Sequence, residues 1–364
     1  MQKKVMALAV AGALAAPAAL AQVQIGGSIH LQYYNHDGDN ASASKTTDFL
    51  TTSEPEIYIR GEEKLGGGLS AWFQCTSSFD VIGTTAQSAS AGWCGRNSAI
   101  GFRGGFGNVF FGTWDTPQKL VFSLGRGWWG ATNTLQGGTG VILLNGSQSN
   151  AGNTGTSFHR RQARLVSYHS PDWSGFVLQA AFSAANESVT LADSSPLDPR
   201  LMSVAGQFRT GPFFAGLGYE SHKDFSTTGS SDSNITFTAG YTFAGAVRVS
   251  GTYVINEYDP DPGSAKREQD GFAIYVDWTL GGPHKLYLQY GSRGETDVAG
   301  VTAANTDAEV LGVAYGYSFS KRTQGYIAYN ELSNGSASTL SFGTGAVTAG
   351  GTQKVFGVGL RHSF

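Results

Sequence analysis

Charged side chains recur at a few fixed places in this chain, and their spacing suits an electrostatic filter better than a catalyst. Arg60 shares its parity with Glu56 and Tyr58, and Arg103 stands opposite Ile100 and Phe102. Arg160, Arg161 and Arg164 cluster further on. Between them, residues 116–157 hold no Asp or Glu but do hold Lys119 and Arg126, with Asp115 just ahead. Cations fixed along alternating segments, facing a stretch without carboxylates, set up a field that sorts ions. Catalytic and metal patterns are missing. The seven histidines have no ligand spacing, His159 and His169 being ten apart, and there is no HExxH or CxxC, so no metal or cofactor is expected. Gly104-Gly105-Phe106-Gly107 reads as a turn and not as a phosphate cradle, because no helix pattern follows it.

The elements that carry these charges follow from composition. Glycine is 51 of 364 residues, about twice the usual ~7 % share, and only 14 % of residues are charged. The formal net charge is −3 and no basic run occurs, which argues against a nucleic-acid partner. Residues 1–21 read as a signal peptide: Lys3 and Lys4, an apolar run over 5–14, then Ala19-Leu20-Ala21 as a small-x-small cleavage site. No later apolar stretch approaches the ~20 residues of a membrane helix. The mature chain, 22–364, is therefore expected to be exported and rich in strands.

Sixteen strands are expected, from 23–35 through 54–64, 95–104 and 158–170 to 353–364. Phe272, Ile274, Val276, Trp278 and Leu280 alternate with Ala273, Tyr275, Asp277 and Thr279, so one face is large and apolar and the other small or polar. A soluble sandwich gives the same period. The connections discriminate, because short Gly-rich links alternate with long polar ones such as 36–53, 81–94, 116–157 and 295–306. That sidedness points to an all-β transmembrane barrel of sixteen antiparallel strands in the outer membrane of a Gram-negative cell, among its lipids and lipopolysaccharide. Sixteen strands leave a water-filled bore, and 116–157 is the one connection long enough to fold into it as a constriction loop.

Four segments carry a resemblance. The run 57–69, IYIRGEEKLGGGL, is similar to the strand-turn-strand signature of the Gram-negative general porins. RNSAIGFRGGFGNVFFGTWDTP (96–117) looks like that family's hairpin leading into its constriction loop. YHSPDWSGF (168–176) and the closing GVGLRHSF resemble two further family motifs, so the matches span the mature chain. The resemblance implies a homotrimer of barrels, each with its own eyelet, passing ions and small hydrophilic solutes passively, with no catalysis and no cofactor. Glu56 stands where the family carries arginine, and Gly112-Thr113-Trp114 where it carries G-R-Q.

The expected constriction set is Glu56, Arg60, Arg103, Asp115, Lys119, Arg126, Arg161 and Arg164, and its balance of charge points to a weak anion preference. Strand alternation allows only one of Arg160 and Arg161 to face the bore. Trp128 and Trp129 would either pin the inserted loop to the wall or form a slide for sugar rings. Cys75 and Cys94 flank a long loop in an oxidising compartment, and are either bonded or two isolated small side chains. Asp259-Pro260-Asp261-Pro262 reads as a solvated acidic turn, with a divalent cation or lipopolysaccharide as its other reading. A channel selective for one solute class, and a structural or adhesive barrel with a closed pore, are the competing functions.

Overall fold

The computed structural model describes residues 23–38, 46–79, 81–82, 92–132, 138–144, 157–184, 198–225, 228–259, 263–342 and 347–364. The signal-peptide assignment to 1–21 and most of the 259–262 turn lie outside them. Among the described residues no helix is long and apolar enough to cross a membrane.

The barrel has sixteen antiparallel staves built from seventeen of the strands. β1 (Gln24–Gly38) is followed by a stave broken into β2 (Thr46–Thr52) and β3 (Glu56–Gly66). β1 pairs with β2 along Leu31–Asp37 and with β3 along Gln24–Ser28. The break is local chemistry: Glu54 takes a left-handed φ of 46° and Pro55 has no N–H to give the ladder. The alternation ahead of Glu54 was too weak to reveal β2, which lies inside the expected loop 36–53. β4 (Leu69–Ser78), β5 (Ser98–Gly104) and β6 (Gly107–Asp115) lead to two inserted helices, α1 (Pro117–Thr132) and α2 (Thr139–Leu144). The wall resumes with β7 (Arg161–His169), β8 (Phe176–Ala184), β9 (Arg200–Thr210) and β10 (Phe213–Lys223). It continues through β11 (Ser231–Phe243), β12 (Val247–Tyr258), β13 (Arg267–Gly281) and β14 (His284–Arg293). A small hairpin, β15 (Thr296–Val298) and β16 (Val301–Ala303), stands in the next long loop. β17 (Ala308–Ser318), β18 (Thr323–Asn334) and β19 (Thr352–Ser363) complete the wall. β19 pairs with β1 from Ser28↔Ser363 to Gly38↔Gln353, closing the sheet and removing its edges.

Face alternation follows the sequence. On β13, Phe272, Ile274 and Trp278 are 39–47 % exposed on the outside, whereas Ala273 and Tyr275 are buried on the inside. Short turns gather at one end of the barrel. Gly211 between β9 and β10 takes a positive φ of 52°, which a tight link of this kind demands.

The inserted segment lies inside the barrel. Thr116-Pro117 starts α1: Thr116 accepts from the amide of Leu120, and Pro117 suits the first helical position, where no N–H is needed. The helix breaks at Gly127, with φ 55° and ψ −129°. The inner wall beneath it is pared down to Gly216, Gly218, Gly271 and Gly291, so that Val121, Gln118, Leu143 and Thr139 can approach its backbone. Phe122, Trp129, Ile142, Leu143, Leu144 and Phe158 then bury themselves against Val254, Tyr258, Tyr275, Val310 and Leu332 of the inner face. Leu340 and Phe342, from the connection after β18, join the same core. The barrel thus has a filled half and an open half.

Candidate functional site

The open half lies along β3 to β7. Beside α1 it holds a cavity of ≈410 Å³, lined by five basic side chains, Arg60, Arg96, Lys119, Arg126 and Arg161, and three acidic ones, Glu54, Glu56 and Asp115. Six of the eight residues expected at a constriction therefore meet around one cavity. β3 supplies Glu56 and Arg60 on its inward parity. β6 ends on Asp115, α1 carries Lys119 and Arg126 inward, and β7 begins with Arg161.

Most of these charges are matched. Lys119 Nζ donates to Asp115 Oδ1 at 2.8 Å, and Arg161 Nε lies 3.4 Å from the same oxygen. Asn97 bridges the two, its amide donating to Asp115 Oδ2 at 3.0 Å and its oxygen accepting from Arg161 Nε at 2.5 Å. Arg96 lies 3.2 Å from Glu56 and 3.7 Å from Glu54. Arg126 is buried, its guanidinium over the Phe122 ring and Nη1 3.2 Å from His159 Nε2. Burial, and then the positive charges of Lys119 and Arg126, hold the His159 imidazole well below its ordinary value. A neutral His159 accepts from Arg126 and adds no charge of its own.

Arg60 differs. Its Nε donates to the neutral Gln24 at 2.9 Å and its guanidinium lies over the Tyr58 ring at 5.0 Å. Among the described residues it has no carboxylate within ion-pair distance, and it is exposed to the lumen.

Arg60 also lines a second cavity of ≈610 Å³, set toward the short turns and containing Arg103, Lys64 and Glu62. Arg103 Nη1 is 3.6 Å from Glu62 Oε2, while Lys64 takes Glu62 Oε1 at 2.7 Å. Arg103 thus belongs to the lumen but lines the cavity nearer the short turns and not the one beside α1.

Arg164 lies elsewhere. The register of β6 against β7 slips between Gly112 and Trp114, leaving Ala163 and Arg164 in a bulge between the inward Gln162 and Leu165. Arg164 adopts a left-handed φ of 55°, is exposed, and lines neither cavity. A regular strand would have set it with Gln162; one extra residue overturns that parity. Arg160, next to the inward-lining Arg161, lies over Phe225 at 4.6 Å and is no part of either lining.

Arg96 was missed by the sequence reading. Its signal was present, two residues beyond Cys94. Cys75 and Cys94 are joined in a disulfide, Cα atoms 4.7 Å apart, which ties this stretch to β4. Arg96 N then donates to Thr76 O at 3.0 Å. The two tryptophans are pins. Trp128 stacks on Tyr287 at 4.1 Å and 7°, and its Nε1 donates to Gln324 at 2.8 Å, while Trp129 is fully buried. Beside Trp128, the Arg248–Asp277 pair enters the break in α1. Arg248 donates to the carbonyls of Leu124 and Gly125, and Asp277 accepts from Trp128 N at 3.3 Å.

The comparisons agree with this geometry. A family model described as Gram-negative porin matches residues 7–337. Outer membrane porin protein 32 of Delftia acidovorans is 27 % identical over the full length of both chains. Major outer membrane protein P.IB of Neisseria meningitidis is 26 % identical, again over the whole of both. Among solved structures, an anion-selective porin from Comamonas acidovorans superposes with a TM-score of 0.77 at 24 % identity, covering 94 % of this chain and all of that one.

Proposed function

This chain belongs to the Gram-negative porin family and forms an outer-membrane channel for passive diffusion of solutes, and we propose that the channel favours anions. The carrying observation is the charge balance at the cavity beside α1, five cations against three carboxylates, with Arg60 the exposed cation that no carboxylate matches. An anion passing Arg60 exchanges part of its hydration for a charge-assisted contact that a cation is denied. The anion selectivity of the Comamonas relative supports the same reading. The zero-current potential of the purified protein in a planar bilayer under a KCl gradient tests it. A value on the chloride side is expected; a value on the potassium side overturns the proposal.

The channel works as a homotrimer on this reading. β5 spans seven residues, short of the ~9–11 that cross a bilayer, and Ile100 is 61 % exposed on its outer side. Another subunit covering that wall removes the mismatch. Residues 1–21 act as a cleaved signal peptide, which N-terminal sequencing of the membrane-inserted form checks. Lipopolysaccharide contacts the opposite side, where outward carboxylates pair with tyrosines: Tyr253 donates to Asp270 at 2.5 Å and Tyr290 to Glu309 at 2.8 Å. Such oxygens suit divalent cations that bridge to phosphate. Chelator treatment is expected to release lipopolysaccharide from the native protein.

A further inference from the structure

The cavity below Arg60 is lined unlike the rest of the inward face. Elsewhere the inward aromatics, such as Tyr258 and Tyr275, are buried against the inserted segment, and other inward positions are small or polar, as at Ser167, Gln179, Ser183, Ser203 and Thr238. Here Trp72, Phe110 and Trp114 meet with ring centroids between 5.2 and 6.0 Å apart. Trp72 is fixed, its Nε1 donating to Asn108 at 2.7 Å and its ring lying under the Arg103 guanidinium at 5.1 Å. Trp72 and Phe110 are covered by their neighbours, whereas Trp114 is only partly buried and lines the cavity. His169 closes the group, edge-on to Phe110 at 5.1 Å, with no hydrogen-bond partner on its Nε2 among the described residues.

Two kinds of surface therefore face one space of ≈610 Å³, within the usual ~300–1,000 Å³ of a small-molecule site. One is cationic: Arg60 without a carboxylate, and Arg103, from which Lys64 draws the Glu62 carboxylate to leave the longer contact. The other is aromatic. A halide uses only the first. A carboxylate attached to a flat ring uses both, because the guanidinium fork matches a carboxylate and both guanidinium planes and indoles stack on rings. We propose that this cavity is a binding subsite for aromatic carboxylates, with Arg60 and Arg103 holding the carboxylate and Trp114 packing against the ring. The proposal rests on the anion preference argued above and adds the ligand class.

Chloride current through the purified protein in planar bilayers reads the binding. Potassium benzoate, cyclohexanecarboxylate and acetate are titrated separately into symmetric KCl. Benzoate is expected to half-block at roughly a fifth of the acetate concentration, the ratio one aromatic stacking contact supplies. Cyclohexanecarboxylate, which keeps the apolar contact but has no flat π face, is expected to fall between acetate and benzoate. Trp114→Leu is expected to lower the benzoate-to-acetate ratio to about that of cyclohexanecarboxylate. Equal block by benzoate and acetate in the unaltered protein overturns the subsite, and so does an undiminished ratio in Trp114→Leu. The zero-current potential in KCl alone, measured in the same membranes, separates the two readings. If it stays on the chloride side while the ratio is one, the subsite is wrong and the anion preference stands.

Discussion

The two halves of the barrel wall share one strand pattern but use their inward side chains differently. Along β9 to β14 the inward positions include Ser203, Gly216, Thr236, Thr252, Asn256 and Gly271, small or hydrogen-bonding groups beneath the inserted helices, with Val254, Tyr258 and Tyr275 packed against them. Ser203 accepts from Gln118 N at 3.0 Å, Ser250 donates to Gly125 O at 2.7 Å, and Asn256 donates to Leu143 O at 2.8 Å. Polar alternation on this side satisfies the backbone of a helix that would otherwise lose its water. Along β3 to β7 the inward positions are Glu56, Arg60, Glu62, Gln74, Arg103 and Arg161, and they face the lumen. A polar inward face is thus no proof of a water-lined one: the inserted segment decides which half conducts.

The largest effect is expected where the covered half is clasped. Asp277→Ala leaves the Arg248 guanidinium without its carboxylate and Trp128 N without its acceptor, at a cost of roughly 2–5 kcal/mol for a largely buried pair. The inserted segment should loosen, seen as a higher and noisier single-channel conductance together with a lower thermal transition in detergent. Unaltered conductance would show that α1 does not rely on this clasp. Next comes the disulfide on the open half. Reducing Cys75–Cys94, a separation of 19 residues, should cost about 3 kcal/mol. Because Arg96 is tied to β4 by that bond, reduction should also free Glu54 and Glu56 and weaken the chloride preference. Mass spectrometry before and after reduction checks the bond itself. The smallest effect concerns pH. With its proton affinity lowered, His159 stays neutral down to lower pH than an ordinary histidine, so moving from about pH 8 to about pH 6 should not charge it. A step in chloride preference centred near the ordinary histidine value would show His159 taking up a proton.

The barrel was legible because lipid exposure forces a strict period of two. Phe356, Val358 and Leu360 announce an outward face, and β19 pairs with β1 as closure requires. The lumen was legible where the strand is regular, as at Glu56, Arg60 and Arg103. It failed where one residue breaks the count. Arg164 is re-aimed by a bulge that Gly112, Ala163 and their neighbours do not advertise. Arg96 was overlooked although Cys94 stands two residues before it, because its pairing to Glu54 and Glu56 is fixed by the disulfide and not by the strand period. α1 carried a start signal in Thr116-Pro117, but Gly125 and Gly127 obscured its period. Gly127 is there because its φ of 55° with ψ of −129° is a conformation open essentially to glycine alone, and a Cβ would also crowd Asp277 and Arg248.

Arg60→Glu tests the division between the halves most directly, since it reverses the exposed unmatched cation of the open wall and leaves the clasp on the other wall alone. Two units of charge at ~8 Å in water amount to about 1 kcal/mol for each ion, against chloride and in favour of potassium, so the chloride-to-potassium permeability ratio should fall roughly thirtyfold. Under a KCl gradient the zero-current potential should move from the chloride side to zero or beyond. A potential unchanged from that of the unaltered protein would contradict the account and place the selectivity of this channel elsewhere in the bore.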